Sequence, residues 1–163
     1  MAVIGWGKPR ILVSKLDTDG DTTTWTEVPT PSEDSTQLTT TKGDKTEAKL
    51  EGGANEDVKY GRNTYALAYT IRIAKGKTQP FEALDGVVDG EYAVAVVPED
   101  PNVPGIMIDK SVVSAEDTFS TAEGGAVTYT HDALQPNTGS QVKWGVISVS
   151  ESDGTITAVS IAQ

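Results

Sequence analysis

From Thr64 to Ile73 the chain alternates: Tyr65, Leu67, Tyr69, Ile71 and Ile73 interleave with Thr64, Ala66, Ala68, Thr70 and Arg72. Successive side chains of a strand point to opposite faces, whereas a helix would scatter these apolar groups round its circumference. The segment is therefore read as a strand with one large apolar face and one small or polar face. Lys45 to Glu51 keeps the same period with charge. Lys45, Glu47, Lys49 and Glu51 share one face, opposite Thr46, Ala48 and Leu50. Four charges of alternating sign on one strand face stay in water or meet charges on another subunit.

β-Branched content and turn punctuation add strands over 10–16, 22–28, 91–97, 106–116, 126–130, 141–148 and 155–161. Asp17-Thr-Asp-Gly-Asp21 joins the first two, and Ser152-Asp-Gly154 the last two, both with Asp-Gly hairpin chemistry. The expected fold is all-β, a β-sandwich or partly closed barrel of about nine strands, forming a single domain over residues 1–163. One short flanking helix is expected over 78–86, with Thr78 as N-cap, Pro80 in the first turn and Gly86 as stop, placing Phe81 and Leu84 against the sheet. Val28 to Thr41, rich in Pro, Ser and Thr, reads as one long loop, and Pro98 to Pro104 as a proline-punctuated turn. A loop near 28–41 exceeds the usual median of about 4–6 residues, which marks it as mobile or reserved for a partner.

Charge and cysteine usage exclude several functions. The 163 residues carry 24 Asp and Glu against 13 Lys and Arg, a net of -11, with no cysteine and one histidine. A chain without cysteine has no disulfide framework, Cys zinc site or thiol nucleophile, and a lone histidine excludes a multi-histidine metal site. Acidic excess argues against binding nucleic acid by phosphate neutralisation. Residues 1–57 hold 11 acidic and 6 basic side chains, 58–110 are close to neutral, and 111–163 hold 6 acidic groups against Lys143 alone. Met1 to Leu16 is cut by Lys8, Pro9, Arg10 and Lys15, unlike the uninterrupted apolar segment of a signal peptide. No apolar run reaches the roughly 18 residues that span a bilayer, so the expectation is a soluble, cytoplasmically made protein with no membrane partner.

No constellation of catalytic type stands out, so an enzyme is not expected, nor a cofactor. Asp17 to Asp21 starts like a calcium loop, but Thr22 stands where Gly is needed and Val28 where the closing Glu belongs, which leaves a hairpin tip. His131-Asp132 lacks an activated nucleophile nearby, and a structurally bonded or solvated histidine is the simpler reading. Glu56-Asp57 and Glu116-Asp117 are adjacent, so their side chains point apart on a strand and make no glycosidase pair. Gly52-Gly53 and Gly124-Gly125 lack the strand-to-helix context of a phosphate loop. Trp6, Trp25 and Trp144, with the five tyrosines, either stack on sugars or fill core and subunit interfaces.

Lys42-Gly-Asp-Lys-Thr-Glu-Ala-Lys-Leu-Glu-Gly-Gly53, then Asn55-Glu-Asp-Val-Lys-Tyr60, the strand at 64–73 and Val142-Lys-Trp-Gly-Val-Ile147 together resemble the major tail tube protein of long-tailed bacteriophages. The resemblance covers most of the chain in strand order and length. It implies a virion structural protein, assembled in the host cytoplasm into the viral tail. Homo-hexameric rings would stack into a tube whose sheets join edge to edge, with other tail proteins as partners and DNA passing through without tight binding. Tubes of contractile injection machines share that fold. An acidic lumen would repel the DNA backbone over roughly 8–10 Å, the Debye length. Lys45, Glu47, Lys49, Glu51, Glu56 and Asp57 are the candidates for lumen or inter-subunit positions. The competing expectation is a β-sandwich carbohydrate-binding or adhesion module using Trp25 or Trp144.

Overall fold

The alternation at 64–73 becomes a strand that buries Leu67, Tyr69 and Ile71, while Ile73 lies just past its end and is exposed. A computed structural model describes Ile4 and residues 7–162. Its twelve strands are β1 (Arg10–Leu16), β2 (Thr22–Glu27), β3 (Gln37–Thr41), β4 (Lys45–Lys49), β5 (Asn55–Tyr60), β6 (Thr64–Arg72), β7 (Ala83–Leu84), β8 (Val87–Val97), β9 (Gly105–Ser120), β10 (Gly124–Ala133), β11 (Lys143–Ser152) and β12 (Thr155–Ala162). Ten strands form one antiparallel sheet with the path β2-β1-β8-β9-β10-β6-β3, β7 pairing with β8 and the β11–β12 hairpin joining β9. β4 and β5 form a separate two-stranded sheet.

Strand β9 organises the layers. Along one edge it pairs with β8; along the other, Gly105–Met107 pair with β11, and Ser111 onwards pairs with β10. One long strand thereby feeds two different neighbours. The apolar residues of β1 then divide by parity. Ile11 and Val13 enter a core with Leu67, Tyr69 and Ile71 of β6 and Val127 and Tyr129 of β10. Leu12 and Leu16 enter a second core with Trp25, Met107, Ile147 and Ile156. Ala93, Ala95 and Val97 of β8 also belong to that second core, while Val94 belongs to the first. β1 and β8 are therefore buried on both faces, which explains their near-continuous apolar sequences. Arg10 fastens the second layer from outside: its Nε donates to Glu27 Oε1 at 3.0 Å and its Nη2 to Glu151 Oε1 at 2.5 Å. Those two carboxylates raise the Arg10 pKa.

Three expectations are corrected. The helix over 78–86 is absent; Ala83–Leu84 instead folds back on Val87–Val88. Asp85 and Gly86 both take left-handed φ, 51° and 85°, the pattern of a type I′ hairpin turn. The Asp-Gly pair that reads as a helix stop is thus turn chemistry, although Phe81 does enter the core. The expected loop over 28–41 ends early, because Gln37–Thr41 pairs with Thr64–Ala68 as β3. β3 escapes sequence reading because it offers one large apolar group, Leu38, among Thr and Gln. β5 is likewise polar and mostly exposed, so the count rises from about nine strands to twelve.

Candidate functional site

The β4–β5 hairpin is an arm. Neither strand packs in any extended way on another element of the described residues. Isolated two-stranded hairpins are marginal in water, and this one is held at a neck. Thr41 pairs with Thr64 before the neck and Lys45 with Tyr60 after it, so the register of β3–β6 continues unbroken into β4–β5. Only the ladder is interrupted. At the gap Gly61 N–H donates to Asp44 O at 2.7 Å, and Gly43 N–H to Asn63 Oδ1 at 3.0 Å. The strands approach so closely that a Cβ on Gly43 would sit 2.2 Å from Gly61 O. Glycine is required there by space.

The sequence-derived candidates all lie on this arm, but not as one face. Lys45, Glu47 and Lys49 share a side, and Glu47 is ion-paired to both lysines, at 3.5 Å for Lys49. Asp57, opposite Ala48, is on the other side. Glu56 is the extra residue of a bulge between the Ala48–Asp57 and Lys49–Asn55 pairs. Glu51 lies in the turn beyond the strand, which ends at Lys49. From 42 to 63 the five basic groups balance the five acidic ones, so the body carries the whole net charge. Exposed ion pairs of this kind contribute about 0–1 kcal/mol. They keep the arm soluble more than they hold it together. At its tip Leu50 is 53% exposed, and left-handed Gly52 and Gly53 have nothing near them.

A cleft of about 890 Å³ opens where the two proline-rich loops meet. Pro31 and Asp34 come from one loop and Val103 and Pro104 from the other, with Leu38, Ile106 and Trp144 completing it. Trp144 is 59% exposed, whereas Trp25 is buried in the second core and Trp6 lies outside the described residues. Of the tryptophans proposed for stacking, Trp144 has a free ring and Trp25 does not. Ser32 Oγ, buried in the same wall, has no hydrogen-bond partner among the described residues.

His131 is structurally bonded. It is fully buried, with Nε2 2.9 Å from Tyr69 Oη and Nδ1 3.1 Å from Ser111 Oγ. Ser111 donates its proton to Tyr92 O at 2.7 Å, so its oxygen accepts from His131 Nδ1–H, and Tyr69 O–H donates to Nε2. Burial lowers the His131 pKa to about 3 and raises that of Tyr69. Phe81 and Tyr129 pack round the imidazole and the Tyr69 ring, closing the serine–histidine pair from solvent. At the Asp17–Asp21 tip, Asp17 Oδ1 accepts from Asp19 N and Asp21 N, both 2.9 Å, so the carboxylate caps its own turn. Among the described residues no three His, Asp or Glu side chains gather as a metal site.

Sequence reasoning missed the neck and the cleft. Gly43 and Gly61 were readable as breaks on either side of an alternating hairpin, and the two proline loops were noted separately. Their meeting at Trp144 depends on pairings remote in sequence. Compared with models of known protein families and with curated proteins, the chain matches none.

Proposed function

We propose that this chain is a virion structural protein that self-assembles into stacked rings, forming a phage tail tube through which DNA passes. The observation carrying the reading is the free-standing, charge-balanced arm on an acidic body. Such a hairpin gains its burial from another subunit, and Lys45, Glu47, Lys49, Glu51, Glu56 and Asp57 are then inter-subunit positions. The outer strands β2 and β3 end the open sheet path and offer edges that a neighbouring sheet continues. The sandwich-like layering fits a ring subunit, and a body with net -11 repels passing DNA. Electron microscopy of concentrated protein, with and without a tail initiator complex, is the test. Rings or tubes are expected, and a featureless monomer under both conditions refutes the reading.

The exposed indole of Trp144 supports a second reading, a carbohydrate-binding or adhesion module. Glycan-array binding that disappears in Trp144→Ala would favour it.

A further inference from the structure

The two cores are closed in different ways. The first is walled by strands of the continuous ladder, with side chains from β1, β6, β8, β9 and β10. The second lies between β1 and β8 on one side and the β11–β12 hairpin on the other. That hairpin contributes Ile147 and Ile156, with Val149, Val159 and Ile161 at the margin. Among the described residues, none of the hairpin belongs to the first core. Its own ladder is complete in itself, because from Val146 to Ser152 β11 pairs with β12 alone. It joins the rest of the sheet over three residues at its base, where Lys143, Trp144 and Gly145 face Met107, Ile106 and Gly105. Lys143 is also ion-paired there with Asp109. The chain reaches that base through residues 134–142, which hold no strand and include Pro136 and left-handed Gly139, φ 82°.

At the hairpin's turn, far from that base, a second cleft of about 470 Å³ lies between the hairpin and the β1–β2 pair. Trp25, Thr26 and Glu27 form one wall, and Glu151, Gly154 and Thr155 the other. Arg10 spans it through its pairs with Glu27 and Glu151. The Arg10 and Glu151 side chains are 39% and 46% exposed, and ion pairs this open to water hold weakly. We infer that β11–β12 is a strap that swings away as a unit about its base, uncovering Leu12, Ala93, Ala95 and Met107 while the first core stays shut. Local openings range in free energy from near zero to the full stability of the fold, and the units that open first have few ties to the rest. A hairpin that keeps its own hydrogen bonds, is anchored by a three-residue ladder and is clasped at its turn by exposed charge is such a unit. Its movement lets the protein present and withdraw an apolar face without unfolding. This device is independent of the function proposed above and stands whether or not the chain forms tubes.

Val94 and Ala95 are neighbours on β8, 1% and 0% exposed, and face opposite cores. The chain has no cysteine, so Val94→Cys and Ala95→Cys each introduce a single thiol. Cysteine packs as a small apolar group, and urea unfolding gives the global stability of each variant. With dithionitrobenzoate in native buffer, the Ala95→Cys thiol should react about tenfold faster or more than the Val94→Cys thiol, after correction for any difference in global stability. Adding Glu151→Gln should speed the Ala95→Cys reaction roughly two- to fivefold and leave Val94→Cys unchanged. In the unsubstituted chain, the hydrogen-bonded amides of 146–162 should exchange as a group, about tenfold faster or more than those of β8. Equal reactivity of the two thiols overturns the strap, as does a Glu151→Gln effect that is the same at both. Protection of the 146–162 amides equal to that of β8 overturns it without any substitution.

Discussion

Acid should weaken this fold through one side chain. In the native state His131 is enclosed and stays neutral down to about pH 3. In the unfolded chain it takes up a proton near pH 6.5. The unfolded state therefore binds more protons over this range, so stability is full above about pH 6.5, falls as pH falls, and levels off near the native value. The whole window is worth at most about 4–5 kcal/mol. Between pH 7 and 5.5 the loss should be about 1.2 kcal/mol. With a urea m-value of about 2 kcal/mol/M, the midpoint should drop by roughly 0.6 M. Urea unfolding followed by tryptophan fluorescence at the two pH values gives the number. His131→Phe should start lower, by about 1–3 kcal/mol for the stranded Tyr69 hydroxyl, and show little slope over the same range. Because the chain has one histidine, a single imidazole resonance reports its titration directly. A native imidazole that titrates between pH 6 and 7, or a midpoint that does not move, would refute the reasoning.

Further outcomes follow from other positions. Tyr69→Phe removes the donor to buried His131 Nε2 and should cost about 1–3 kcal/mol at pH 7 by urea unfolding. Trp25→Ala empties part of the second core and should cost about 3–5 kcal/mol, whereas Trp144→Ala should stay within about 0.5 kcal/mol by the same measurement. Gly43→Ala places a Cβ 2.2 Å from Gly61 O and should open the neck. Because the arm makes no extended packing on another element of the described residues, the melting temperature of the body should change little while amides of 45–60 lose hydrogen-exchange protection. Gly86→Ala, at φ 85° with Ala115 O 2.8 Å from the new Cβ, should destabilise the β7–β8 turn by about 1–3 kcal/mol, read by thermal unfolding.

Legibility in the sequence followed burial. β6 was plain because one face is large and apolar, and its alternation survives as Leu67, Tyr69 and Ile71 in the core. β1 and the 91–97 part of β8 were legible from β-branched content and turn punctuation, although those signals do not say that two cores use opposite faces. β3 and β5 were invisible because an edge strand and a solvated arm place no demand on side-chain pattern. The 78–86 segment misled because a capping Thr, an early Pro and a terminal Gly also suit a loop ending in an Asp-Gly hairpin. Only pairing with β8 decides between them. At the candidate site, the charged alternation of Lys45–Glu51 was legible, but the neck and the cleft needed tertiary contacts.

The continuous register through the neck has a mechanical consequence. Below the bulge at Glu56, tension along the arm runs through two strands whose register carries across the neck, and it is delivered to β6, which lies between β3 and β10. Those ladders are loaded lengthwise, so many hydrogen bonds bear the pull together. Bending, by contrast, concentrates where the ladder is missing, at residues 42–44 and 61–63. The arm is therefore stiff against stretching and compliant in direction.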